Sequence, residues 1–251
     1  MERVAVAFSA GVDSTLLLAA AAQTPGVSVT AVSVEADWVP RRERREAEEF
    51  CESRGIRHIR LKAWAGEIAG FAENPRERCY LCKKVLFAKI TDAARAEGIA
   101  HVLEGSNVDD CSDYRPGMRA IAELGVKSPL LKAGLCKAEI RELSRALGLP
   151  TAEKPSFACL ASRIPYGEPI TAEKLSMAEA GEQLLFEQGF RQFRVRVHGA
   201  LARVEVLPEE LERLAKEPLR SFICGKLKEI GFSYVALDLE GFRSGSMNEM
   251  L

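Results

Sequence analysis

The stretch VAVAFSAGVDSTLLLAAA, residues 4–21, decides the reading of this chain: an apolar, β-rich run gives way at Ser9-Ala10-Gly11-Val12-Asp13-Ser14 to an alanine- and leucine-rich segment. Residues 3–8 read as a strand, and Val12, Leu16, Leu17 and Ala20 then recur at helical spacing, so the turn joins a strand to a helix. Such a turn exposes backbone N–H groups and the positive end of the helix dipole, which together attract phosphate. Small residues such as Gly11 let the phosphate come close. The lysine of a Walker A loop is missing. Ser9, Ser14 and Thr15 offer hydroxyls instead, and Asp13 offers a carboxylate for the Mg2+ of a magnesium–pyrophosphate leaving group. The plainer alternative is that Ser9 only caps a helix.

Working outward, the strand-then-helix pattern recurs. Residues 27–36 read as a strand, PRRERREAEEFCESRG as a charged helix closed by Gly55, and 57–63 as a third strand. KKVLFAKITDAARAEGI reads as a helix stopped by Gly98, and AHVLEGS, 100–106, as a fourth strand. This alternation predicts a parallel α/β sheet with helices on both faces and ligands beyond the carboxyl ends of the strands, where the 9–14 turn and GSNVDD (105–110) fall. In SPLLKAGLCKAEIRELSRALGLP a helix ends at Gly148, and Cys136 stands at a helix start. The proline-rich 151–171 stretch has no period and reads as a linker and functional loop. A helix over 172–189, a hairpin from FRQFRVRVHG and LARVEVLP, two helices and a strand SYVALDLEG then suggest a small C-terminal α+β domain. The expected organisation is therefore 1–150, 151–171 and 172–251.

The bulk properties exclude as much as they suggest. Across 251 residues, 35 basic and 36 acidic side chains leave a formal charge of −1, so no global field recruits nucleic acid or an anionic membrane. The apolar run in MERVAVAF is too short for a signal peptide, and no stretch approaches a membrane span, which points to a cytoplasmic protein. The seven cysteines are an odd count, and in a reducing compartment most read as small buried residues. Cys79 and Cys82 in RCYLCKK stand apart, because Cys-x-x-Cys offers two thiolates to one metal; a structural or redox reading of that pair stays open.

SAGVDS after a first strand resembles the SGGxDS signature of the PP-loop ATP pyrophosphatases, whose adenine nucleotide alpha hydrolase-like fold implies ATP cleavage between the α- and β-phosphates. Ala10 stands where that signature has its first glycine, and an alanine points away from left-handed backbone there. With KPSFACLASRIPYGEPIT (154–171), NPRERCYLCKKVLF (74–87), EGSNVDD (104–110) and GFRSGSMNE (241–249), essentially the whole chain resembles the LarE family of ATP-dependent sulfur transferases. That resemblance implies a small-molecule substrate, pyridinium-3,5-biscarboxylic acid mononucleotide, adenylated with ATP and Mg2+ and converted to a thiocarboxylate in nickel-pincer nucleotide synthesis. It also implies a homo-oligomer and an external sulfur donor.

In one branch of the family the loop cysteine, Cys159 here, gives up its own sulfur. The other is thought to hold a 4Fe–4S cluster on three cysteines, and Cys79, Cys82 and Cys159 match it. Three protein ligands leave one iron open for a hydrosulfide; zinc, the competing metal, wants a fourth Cys or His, and no histidine has ligand-like spacing. Asn107, Asp109 and Asp110 follow a strand and are expected to face the nucleotide, with helix caps or Asx turns as the alternative. Arg163 and Ser162, four and three residues after Cys159, are placed toward a nucleotide or substrate phosphate. Arg194 and Arg196 share one strand face, suiting a phosphate or carboxylate clamp, although solvated strand faces also carry arginines. Lys83 and Glu182 complete the candidates. A tRNA-thiolating PP-loop enzyme is the rival reading, and the balanced charge argues against the basic surface it needs.

Overall fold

The computed structural model describes residues 2–111 and 116–247. The chain divides into two compact units, Met1–Phe71 with Glu77–Phe157 and Ala72–Arg76 with Ala158–Leu251. The division thus falls at 157/158, and a five-residue strap from between the third strand and third helix belongs to the second unit.

In the first unit, strands β1 (Arg3–Ala7), β2 (Ser28–Glu35), β3 (Arg57–Lys62) and β4 (Val102–Leu103) form a parallel sheet in the order β3-β2-β1-β4. Its helices are α1 (Val12–Gln23), α2 (Arg41–Ser53), α3 (Arg78–Ala96), α4 (Gly117–Glu123), α5 (Pro129–Lys132) and α6 (Lys137–Ala146). Period-two alternation sorts the core. Val4 and Val6 on β1 pack with Leu16 and Leu17 of α1, Ala47, Phe50 and Cys51 of α2, and Ile140 of α6. Ala5 points to the other face and joins Phe87, Ile90 and Ala94 of α3 and Ile121 of α4. Each such buried aliphatic side chain contributes about 1.5–3 kcal/mol. The charged helix α2 is amphipathic, and burial pushes the Cys51 thiol up to about 11, as befits a packing residue.

The chain runs outward from β1 through β2 to β3 and returns to β4 on the other side of β1. This reversal opens a crevice at the carboxyl ends of β1 and β4, where ligands of such sheets bind. The 9–14 turn and residues 104–110 leave these two strands.

Two helices differ from their sequence reading. Helix α3 begins at Arg78 rather than Lys83, with the Tyr80 and Leu81 amides both donating to the Glu77 carbonyl, so Cys79 and Cys82 lie on its first turn. The stretch before the helix start expected at Cys136 forms a short helix of its own, α5, set off from α6 because Gly134 takes φ 74°. Cys136 then starts α6, its amide donating to the Glu139 carboxylate at 2.9 Å.

The second unit carries a sheet in the order β5-β6-β7: β5 (Phe193–His198) pairs antiparallel with β6 (Leu201–Val206), and β7 (Tyr234–Leu237) pairs parallel with β6. Its helices are α7 (Ala172–Glu187), α8 (Leu211–Ala215) and α9 (Leu219–Ile230). Gly181 lets α7 approach the sheet: a Cβ there would lie 3.0 Å from Val195 Cγ1. No helix among the described residues is long and apolar enough to cross a membrane.

Candidate active site

The turn after β1 is held from within. Ser14 Oγ donates to the Gly11 carbonyl at 3.2 Å and accepts from the Ser9 amide at 3.3 Å. With that proton committed, the Ser9 hydroxyl is the donor in its 3.1 Å contact with Ser14 Oγ. Ala10 sits at φ 53°, so the left-handed backbone that an alanine argued against is present, with its methyl buried. Thr15 is turned into the interior; its Oγ1 is enclosed and has no hydrogen-bond partner among the described residues.

Asp13, second residue of α1, is the centre of a charged contact set. Lys137 Nζ donates to its Oδ1 at 2.7 Å and Oδ2 at 2.5 Å, and Asn107 Nδ2 donates to Oδ1 at 3.1 Å. Asn107 is fully buried, and its amide donates to Asp110 Oδ2 at 3.0 Å. Asp109 accepts from the Lys137 amide at 2.8 Å. The crevice therefore uses Asn107 toward the turn, while Asp109 and Asp110 tie loop ends in the capping role that was the alternative for them. Gly105 makes the approach sterically feasible, since a Cβ there would stand 3.0 Å from the Ser14 amide nitrogen. Just before it, buried Glu104 accepts from the Ser106 amide and hydroxyl and from Ser128. Lys154 closes the other side, donating to the Ala10 carbonyl at 2.8 Å and pairing with Glu46.

Lys137 and Lys154 were not singled out from the sequence. The first reads as a solvated helix-start charge, and the second sits in the irregular KPSFACLASR stretch, whose membership in a family motif was the one signal available. Lys83 and the two helix cysteines are half-buried on α3; the Lys83 stem packs where a Cβ on Gly117 would meet Cδ at 2.6 Å. Among the described residues, no group of three or more His, Cys, Asp or Glu side chains is arranged to hold a metal ion.

In the second unit the Cys159 loop is fastened by buried charge. Arg163, expected toward a phosphate, has no exposed surface; its Nε and Nη2 donate to Glu182 at 2.6 and 2.8 Å. Its Nη1 donates to the Ala158 carbonyl at 2.8 Å, the Cys159 carbonyl at 3.3 Å and Ser162 Oγ at 2.7 Å. Ser162 donates its hydroxyl to the same Cys159 carbonyl at 2.8 Å and its amide at 3.0 Å, so that carbonyl is held from three directions. Burial would raise the Glu182 pKa, but the Arg163 guanidinium outweighs it and holds the carboxyl below the usual range.

Arg196 forms a second bidentate pair, with Glu205 at 2.9 and 2.8 Å, and donates to the Ser162 carbonyl at 3.0 Å and Ser246 Oγ at 3.1 Å. Arg194 lies between these pairs, donating to the Phe193 carbonyl at 2.6 Å with its guanidinium 4.7 Å from the Phe242 ring centre. Among the described residues, Arg163 pairs with Glu182, Arg196 and Arg203 both pair with Glu205, and Arg194 stands beside them. Burial, with Arg163 adding repulsion, pushes Arg194 down to about 9. The arginine pair is not on a solvated face; each is 4% exposed.

The strap explains another motif. Asn74, at φ 55° and fully buried, donates from Nδ2 to the Ile164 and Pro165 carbonyls at 3.2 and 2.6 Å, and its carbonyl accepts from the Gly167 amide at 3.0 Å. Phe242 and Ser246 place part of GFRSGSMNE on the arginines; its last two residues lie outside the described residues.

A four-stranded parallel sheet flanked by helices, with a small-residue turn at the switch point, defines a mixed α/β protein and is consistent with a PP-loop-like fold. No family model matches the chain. Over all 251 residues it is 37% identical to an uncharacterized protein of Synechocystis sp., covering 94% of that protein. It is 36% identical to the pyridinium-3,5-bisthiocarboxylic acid mononucleotide synthase of Lactiplantibacillus plantarum, with all of this chain and 91% of that protein covered. An uncharacterized protein of Methanocaldococcus jannaschii is 33% identical over 68% of this chain and 66% of its own length. The chain belongs to the LarE family, to which that synthase belongs.

Proposed function

We propose that this chain is an ATP-dependent sulfur transferase that converts a carboxylate of pyridinium-3,5-biscarboxylic acid mononucleotide to a thiocarboxylate. The match along the whole chain to a protein named for that synthesis carries the reading. A carboxylate is a poor electrophile with a poor leaving group, which sets the order of events. A carboxylate oxygen attacks the α-phosphorus of ATP, the bond from that phosphorus to the bridging oxygen breaks, and pyrophosphate departs with the electron pair. Sulfur then attacks the acyl carbon of the mixed anhydride, and AMP leaves with the carbon–oxygen bond electrons.

The turn supports the first half: it presents the head of a twelve-residue helix, with Ser9, Gly11, Ser14 and the Asp13 carboxylate gathered at the switch-point crevice. A single carboxylate beside a polyphosphate cradle is the donor set Mg2+ commonly takes, together with water and phosphate oxygens. Bound there, Mg2+ would neutralise the charge developing on pyrophosphate. In the second unit the buried Arg194 guanidinium suits an anionic group of the substrate, while Arg163, Ser162 and Glu182 fix the backbone at Cys159 and act as positioning residues.

For sulfur delivery we assign Cys79, Cys82 and Cys159 as ligands of a 4Fe–4S cluster, with Lys83 adding positive charge beside the helix pair. Cys79 and Cys82 are three residues apart on one helical turn and half-buried, which suits two ligands of one centre. Such a cluster would supply an open iron able to carry hydrosulfide. The firm hold on the Cys159 carbonyl favours a second reading, in which the Cys159 sulfur itself is transferred once.

Cys159→Ala tests the assignment: thiocarboxylate formation is lost while ATP-dependent acyl-adenylate formation persists, and equal loss of both refutes the role. Iron and sulfide assays on protein purified without oxygen separate the sulfur sources. Cys79→Ala and Cys82→Ala each lower bound iron if a cluster serves. Unchanged iron, with loss of hydrogen sulfide from Cys159 by mass spectrometry after one turnover, supports the second reading.

A further inference from the structure

The turn lacks the lysine that phosphate loops usually carry, yet an ammonium group stands on it. Lys137 comes from 124 residues further along the chain and reaches both oxygens of Asp13. It is the first residue of α6, and three contacts fix that start: its own amide on Asp109, the Val108 amide on the Leu135 carbonyl at 3.0 Å, and the Cys136–Glu139 cap. Ile140, one turn on, packs in the core shared with α1. The base of the side chain is thus anchored against the helix whose head forms the turn.

The ammonium itself is not locked in. The side chains of Lys137 and Asp13 are 32% and 23% exposed, and the stem has four rotatable carbons. A part-exposed pair of this kind adds at most about 1 kcal/mol to stability, too little to explain why a cation is held at the mouth of an anion-binding helix. A triphosphate arriving there presents several negative charges to the one on Asp13, and the ammonium follows the stronger field.

We propose that Lys137 is the phosphate-binding cation of this turn: it rests on Asp13 in the absence of nucleotide and moves to the β- and γ-phosphates when ATP binds, staying with pyrophosphate as it departs. Asp13 is thereby released for Mg2+. This rests on the reading of the turn as an ATP site and adds to it a residue from outside the signature.

The test is binding, not turnover, with the full chain and three probes: ATP, inorganic pyrophosphate and AMP, titrated calorimetrically. Loss of a charge-assisted hydrogen bond to phosphate predicts that Lys137→Met weakens ATP and pyrophosphate about 10- to 100-fold. AMP, which has no β-phosphate, stays within about twofold. Lys137→Arg restores most of the lost affinity, and circular dichroism checks that both variants fold. Equal weakening of all three probes, or of none, overturns the inference while leaving the ATP site in place. A wild-type protein that binds neither ATP nor pyrophosphate overturns the reading of the turn and this inference with it.

Discussion

Replacing Arg194 with methionine is expected to make the protein more stable. Arg194 is 4% exposed and lies beside the Arg163–Glu182 and Arg196–Glu205 pairs, and burial brings its pKa to about 9. At about 1.4 kcal/mol per pH unit, holding that charge inside at neutral pH costs roughly 4–5 kcal/mol against the unfolded chain. Its contacts offset part of the cost. The cation–π contact with Phe242 is worth about 1–2 kcal/mol when desolvated, and the hydrogen bond to the Phe193 carbonyl about 1.5 kcal/mol. Methionine fills a similar volume without charge, so the balance favours Arg194→Met by at most about 1–2 kcal/mol. Equilibrium urea unfolding, with the slope compared to exclude a change in the denatured state, measures it. A variant destabilised by more than about 1 kcal/mol at unchanged slope would refute the reasoning, since the contacts of Arg194 would then outweigh the cost of burying its charge.

The opposite sign is expected at Glu182. Glu182→Gln leaves the Arg163 guanidinium enclosed without its counter-charge and costs about 3–5 kcal/mol in the same unfolding assay. Because the Glu182 pKa is depressed in the folded state, its contribution is complete above the usual glutamate value near 4.5. It drains away as pH falls through the lower folded value, so the wild type loses stability there faster than the variant does, as acid titration of the unfolding midpoint will show. Ala10→Gly relieves left-handed strain at φ 53°, and after the entropy cost of glycine it raises stability by about 0.5–1 kcal/mol in thermal or urea melts; a loss would mean the buried methyl outweighs the strain.

Much of the first unit was legible because strand and helix periods alternate cleanly from β1 to β4. What escaped was set by tertiary contact. The RCYLC segment carries no breaker, so nothing local separates a helix starting at Arg78 from one starting at Lys83. The break at Gly134 depended on a single positive φ that the leucines around it concealed. At the site, Asp13, Ser14 and Asn107 were recognisable from the turn chemistry and their place after strands. Arg163 reads toward a ligand from its place four residues after Cys159; the burial that pairs it with Glu182 comes from a helix nineteen residues away. Lys137 and Lys154 reach the turn from 124 and 144 residues further on, separations at which periodicity says nothing.

The strap at residues 72–76 also bears on how the chain is made. Asn74 leaves the ribosome ninety residues before Ile164, the carbonyl it will hold. At synthesis rates of about 5–20 residues per second, it waits roughly 5–20 s for that partner. Neither unit corresponds to one uninterrupted piece of gene, so a clone begun at residue 158 would encode the Cys159 loop without the amide that ties it down.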